Sequence, residues 1–177
     1  DRRQRQMCIR DRPGTVQTHA LASTILGNTR DIQLYRPAGW RPGGADNHVL
    51  VLFDAGPYLS RVPTPTILDN MIAAGVIPPT AAVLISNPTA DSRAAELPPN
   101  PDFADFLARE LMPWAARQGI AAPAARTVIG GSSYGGLASS YAALRHPEVF
   151  GNVLSQSGSY WWGQPGQEDQ WLSLIHI

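Results

Sequence analysis

Three short apolar runs, each leading into turn-forming residues, constrain the fold of this chain more than any other feature. Residues 48–53 read HVLVLF and lead into Asp54-Ala55-Gly56-Pro57, residues 82–86 read AVLIS, and residues 127–130 read TVIG ahead of a glycine-serine turn. Apolar runs without polar alternation suit strands buried on both faces, and such strands belong to parallel sheets covered by helices. The intervening segments supply the helices. Thr66 can cap a helix over residues 67–74 that stops at Gly75. Asp102 can cap another reaching about Met112, with Phe103, Phe106, Leu107 and Leu111 on its core face, and residues 135–145 form a third. Residues 31–36 (DIQLYR) alternate polar and apolar as an antiparallel strand with one wet face does, and Val153 and Leu154 fall in a fourth buried strand. Residues 88–101 read as a long Pro-rich connection, a length that suggests a functional loop. The expected fold is α/β, a mostly parallel sheet with helices on both faces.

The two ends follow a different logic. Residues 2–11 (RRQRQMCIRD) match the translation of a transposon-type sequencing adaptor, and residues 172–177 (LSLIHI) match the reverse complement of its tail. Residues 1–12 and 172–177 are therefore expected to be non-native tails around a C-terminally truncated domain over residues 13–171. Setting the tails aside changes the charge argument. The first twelve residues hold five of the 14 basic and two of the 14 acidic side chains, so the rest carries a formal −3 and gives no electrostatic case for nucleic acid. The single cysteine, Cys8, lies in the first tail, which leaves the domain without a thiol for a disulfide, a zinc site or covalent catalysis. No apolar run approaches membrane-spanning length.

The chemistry concentrates where the third run ends. Gly131-Ser132-Ser133-Tyr134-Gly135 is a G-x-S-x-G pattern between an apolar strand and a helix rich in small residues. Such an elbow needs glycines around a strained serine because the backbone passes close to its neighbours, and a Cβ at either flanking glycine is expected to clash. Ser133 is the expected nucleophile. The Tyr134 N–H is the expected first oxyanion donor, and the turn after residues 48–53 should offer the second through Ala55 or Gly56, since Pro57 has no N–H. A phosphate-binding loop is excluded, because that loop needs a lysine and the chain has none.

The stretch VIGGSSYGGLASSYAALRHPEVFGNVLSQSGSYWW (residues 128–162) resembles the enterochelin (enterobactin) esterase-like family, as do the R-x-x-E-L of Arg93, Glu96 and Leu97 and the E-L-x-P of Glu110, Leu111 and Pro113. The resemblance implies an α/β-hydrolase fold and hydrolysis of an ester, in the best-known members that of a cyclic siderophore trilactone. It implies a small-molecule ester as partner and no cofactor or metal; oligomeric state and localisation do not follow from it. Feruloyl-type esterases, acyltransferases and non-catalytic binding homologues share the core, so the substrate does not follow from the fold. Trp161 in the final motif is a candidate for lining the substrate pocket. Arg93 is a candidate for facing the substrate, or for a structural ion pair with Glu96.

Two features depart from the family pattern. The family shows Asp-Gly after the first buried strand, whereas here Ala55 follows Asp54 and the glycine is Gly56. In this fold the acid and then the histidine of the triad follow the serine. After Ser133 stand only His146, at the far end of the next helix where it is expected as a cap, and His176, in the tail. Asp169 with His176 is thus a decoy pair, and the segment by itself is expected to be inactive. His19 and His48 are expected to be strand or surface residues rather than metal ligands.

Overall fold

The computed structural model describes residues 13–163, so both tails and the Asp169–His176 pair lie outside the described residues. Six strands make one sheet: β1 (Thr15–Ser23), β2 (Asn28–Arg36), β3 (His48–Leu52), β4 (Thr80–Ile85), β5 (Thr127–Ser132) and β6 (Asn152–Gln156), in the spatial order β1-β2-β4-β3-β5-β6. β1 and β2 form an antiparallel hairpin, β2 pairs antiparallel with β4, and β4, β3, β5 and β6 run parallel. The three apolar runs are the central strands. Val49, Val51, Ala82, Val83, Leu84 and Ile129 are fully buried, as strands covered on both faces require.

Helices cover each face. On one lie α1 (Ala55–Ser60) and α2 (Thr64–Ala73), whose Tyr58 and Leu68 pack against Tyr35, Leu52 and Leu84. The other face carries α3 (Ala90–Glu96), α4 (Pro101–Phe106), a π-helical turn (Leu107–Leu111), α5 (Met112–Arg117) and α6 (Tyr134–Arg145). There Phe103, Phe106, Leu107 and Leu111 join Ile32, Leu34, Val51 and Phe150 in the larger core, as the helical spacing predicts. Each such buried side chain contributes about 1.5–3 kcal/mol.

Several local expectations are corrected. α2 begins at Thr64 with Pro65 in its first turn, ahead of the expected Thr66 cap, because proline fits where no N–H acceptor is available. Inside the Pro-rich connection lies α3, started by a capping box in which Thr89 Oγ1 accepts from Ser92 N and Ser92 Oγ accepts from Thr89 N. Asn100, rather than Asp102, caps α4 by accepting from Phe103 N. The helical path then continues past Met112 to Arg117, since the π turn places Pro113 in the first turn of α5. β1 was not apparent from the sequence, for most of its residues are exposed and carry no apolar signature. β6 exists, but Val153 and Leu154 are exposed, because β6 is an edge strand among the described residues.

Candidate active site

The parallel strands set the site, because β3 and β5 are neighbours and end side by side, with Phe53 N donating to Gly130 O. Ligands of α/β sheets bind beyond the carboxyl ends of the strands, and two turns meet there. Ser133 follows β5 with φ 57° and ψ −120°, a conformation that costs an L-residue about 1–3 kcal/mol. Asp54 follows β3 with φ 55° and ψ 54°, left-handed, and starts α1. Ser157, after β6, is the third non-glycine residue at positive φ among those described. All three stand at the same end of the sheet.

The surroundings hold the Ser133 turn in place. Ser133 N donates to Gln156 O (3.1 Å), and Ser133 O accepts from Ser159 N (3.0 Å) and Leu137 N (3.2 Å). A Cβ at Gly131 would lie 2.8 Å from the Gly135 carbonyl carbon, backbone against backbone, so only glycine fits. The expectation of a clash at both flanking glycines is corrected at Gly135, where a Cβ would stand 3.5 Å from Phe53 Cβ, an ordinary contact. Gly130 and Gly136 are also tight: a Cβ at Gly130 would meet Leu154 O at 2.9 Å, and one at Gly136 would meet Ser155 Oγ at 2.6 Å and Gly158 Cα at 2.9 Å. The helix is thus pressed onto β6 one residue later than the motif suggests.

Ser133 opens on a cleft of about 350 Å³ lined by Asp54, Pro57, Tyr58, Arg61, Arg93 and Gln156, among others. Its hydroxyl lies 3.0 Å from the buried Ser159 Oγ. Tyr134 and Gly135 open α6 immediately after it, and Gly135 lies against Phe53 and Asp54, which brings the start of α6 beside the Asp54 turn. Ala55, buried, and Gly56, exposed, occupy the first turn of α1, where N–H groups have no partner within the helix. Trp161 is exposed and its ring stands 6.1 Å from that of Tyr134, but it is not among the residues that line the cleft.

The Arg93–Glu96 ion pair is corrected, because each residue has another partner. Arg93 grips Asp54 with two bonds, Nε to Oδ1 at 2.7 Å and Nη2 to Oδ2 at 2.8 Å. Asn87 Nδ2 adds a third to Asp54 Oδ1 at 2.8 Å. Arg93 is held above its ordinary pKa, first by the bond to Asp54. Glu96 turns inward to Arg30, 2.7 Å away, whose guanidinium lies over the rings of Phe103 and Phe106. Tyr58 donates its hydroxyl to Gln156 Oε1, and burial with the nearby Asp54 charge raises its pKa.

The histidines lie elsewhere. His146 sits at the C-terminal end of α6, buried, with Nε2 2.9 Å from Asp105 and Nδ1 3.1 Å from Glu148. Its position is that of the expected cap, but its side chain meets carboxylates rather than the last carbonyls. His19 packs edge-on against Trp114, and His48 Nδ1 lies 2.9 Å from Asp46 O. Among the described residues no histidine is bonded to Ser133. Sequence reasoning also missed Tyr58, Arg61, Gln156 and Ser159 at the site: Tyr58 and Arg61 stand in no motif, and Gln156 and Ser159 fall within the family-like stretch 128–162 with nothing in the sequence to single them out.

A mostly parallel sheet with helices on both faces and a strained strand-serine-helix turn at its carboxyl end is the arrangement of the α/β-hydrolases, and the fold places the chain in that class. A family model described as "Putative esterase" matches residues 23–174, and the chain belongs to that family. It is 38% identical over 141 residues to an iron(III) enterobactin esterase of Dickeya dadantii, a match covering 79% of this chain and 32% of that protein. It is 40% identical over 125 residues to the iron(III) enterobactin esterase of Escherichia coli K12, covering 70% of this chain and 31% of that one. The structure of a Shigella flexneri enterobactin esterase in the presence of enterobactin superposes with a TM-score of 0.82 at 33% identity, covering 94% of this chain and 44% of that chain. The chain spans about a third of the length of the curated relatives it matches. A ferulic acid esterase shares the fold at 18% identity and a TM-score of 0.70.

Proposed function

We propose that the intact protein hydrolyses carboxylic esters through an acyl-enzyme on Ser133, and that its substrates are siderophore trilactones of the enterobactin type. The observation that carries the mechanism is Ser133 at positive φ, facing a cleft into which the Asp54 turn also opens. Ser133 Oγ attacks the ester carbonyl, and the Tyr134 N–H with that of Ala55 or Gly56 receives the charge on its oxygen. The alcohol leaves, and water resolves the acyl-enzyme. The proton of Ser133 goes to a histidine, oriented by an acid, in the part of the relatives that this chain does not span. Trp161, exposed beside the Tyr134 ring, is a candidate aromatic contact for a flat acyl group. The substrate class rests on the relatives' names. Residues 1–12 and 172–177 take no part.

The test expresses residues 13–171 and, separately, the full-length protein, and assays both on an activated aryl ester and on enterobactin. The full-length protein is expected to hydrolyse both in a Ser133-dependent way, and the short segment neither. Full turnover by the Ser133→Ala variant would refute the nucleophile, and equal turnover by the short segment would refute the assignment of the base. Transfer of the acyl group to an added alcohol in preference to water would favour an acyltransferase.

A further inference from the structure

Arg93 lines the cleft and is about one-third exposed, so a role in touching substrate is the simplest reading of its position. The geometry says otherwise. Its Nε and Nη2, one of the two edges by which a guanidinium binds an anion bidentately, are taken by the two oxygens of Asp54, so its orientation is set by that turn. Asp54 is in turn the left-handed residue from which α1 starts, so its backbone dihedrals set the direction of the Ala55 and Gly56 N–H groups. We propose that Arg93 is a positioning residue that holds the Asp54 turn, and through it the second oxyanion donor, rather than a substrate contact. This rests on the esterase reading above.

Three further observations agree. Arg93 is anchored from below, because α3, which carries it, also carries Glu96, and Glu96 is bound to the fully buried Arg30 under Phe103 and Phe106. Asn87 holds the same carboxylate from the loop after β4, so Asp54 is gripped from two elements. The other end of α1 is tied across the cleft, where the Tyr58 hydroxyl bonds the side chain of Gln156, the residue whose carbonyl accepts from Ser133 N. The donor turn is thereby fixed relative to the nucleophile from both sides. A non-glycine residue at φ 55° gains from such a grip, because alternative turns lie within about 1–3 kcal/mol.

The experiment uses the full-length protein with Arg93→Ala, Arg93→Lys, Asp54→Asn and the Arg93→Ala/Asp54→Asn double variant. Substrates are a neutral ester, p-nitrophenyl acetate, and an anionic one, mono-p-nitrophenyl succinate; phenylboronic acid probes the tetrahedral adduct. Arg93→Ala is expected to lower kcat on both esters by a similar factor, on the order of 10²-fold, with KM little changed and boronate affinity reduced in parallel. Asp54→Asn should reproduce the loss, the double variant should add little to it, and Arg93→Lys should recover part. A rise in KM confined to the anionic ester would overturn the proposal in favour of substrate contact, and so would unchanged kcat. Amide exchange at Tyr58, whose N–H bonds Asp54 O at 3.4 Å, gives a readout free of catalysis. It should quicken in Arg93→Ala and in Asp54→Asn, and unchanged exchange in both would refute the grip. Absence of Ser133-dependent turnover in the wild type would sink the esterase reading alone, since the exchange result still decides whether Arg93 holds the turn.

Discussion

Replacing Ser133 by glycine should abolish activity and at the same time leave a more stable protein than replacing it by alanine. Both variants lose the hydroxyl and its 3.0 Å contact with Ser159 Oγ, so that term cancels between them. What differs is the backbone. At φ 57° and ψ −120° alanine keeps the full strain of an L-residue, about 1–3 kcal/mol, whereas glycine adopts this region freely. Glycine gives back about 0.4–1 kcal/mol through the greater freedom of its unfolded chain. The expected difference is therefore about 0.5–2 kcal/mol in favour of Ser133→Gly. Urea denaturation of the two full-length variants, with equal slopes, would measure it as a shift in midpoint. An alanine variant as stable as the glycine variant, or more so, would refute the claim that the elbow stores strain.

Other expectations follow from the same contacts. Glu96→Ala leaves the fully buried Arg30 without its carboxylate and should cost about 3–5 kcal/mol by denaturation, while Arg30→Met with Glu96→Leu recovers most of it. Gly131→Ala forces a methyl group to 2.8 Å from backbone and should lose both Ser133-dependent turnover and about 1–3 kcal/mol of stability. Asp105 is held below its usual carboxylate value, first by the Arg145 hydrogen bond and then by His146. Because its folded pKa is depressed, its stabilisation is present above the ordinary carboxylate pKa and is lost as pH falls through the lower folded value. Asp105→Asn should flatten that acid limb in a stability-pH profile. Tyr35 is raised far above the usual phenol value by burial and then by its bond to Asp69. Its contribution is complete below the unfolded pKa of about 10 and is lost above it. Tyr35→Phe should lessen the alkaline loss of stability, read by the same denaturation series.

The sequence alone determined the features that depend on a period or a local turn. Uninterrupted apolar runs can only be buried on both faces, which required the central strands and hence the parallel core. The glycines around Ser133, together with the strand before it and the small-residue helix after it, marked the elbow, because backbone packs too closely against Gly131 and Gly136 for a side chain there. Pairings between distant segments were decided only in three dimensions. Nothing local tells Arg93 to prefer Asp54 over Glu96 three positions away; the choice follows because α3 packs with Glu96 facing Arg30 and Arg93 facing the cleft. Tyr58 and Gln156 meet because the turn after β3 and the end of β6 flank the same strand, β5. β1 escaped notice because an exposed edge strand has no hydrophobic pattern to read and takes its conformation from the partner it pairs with.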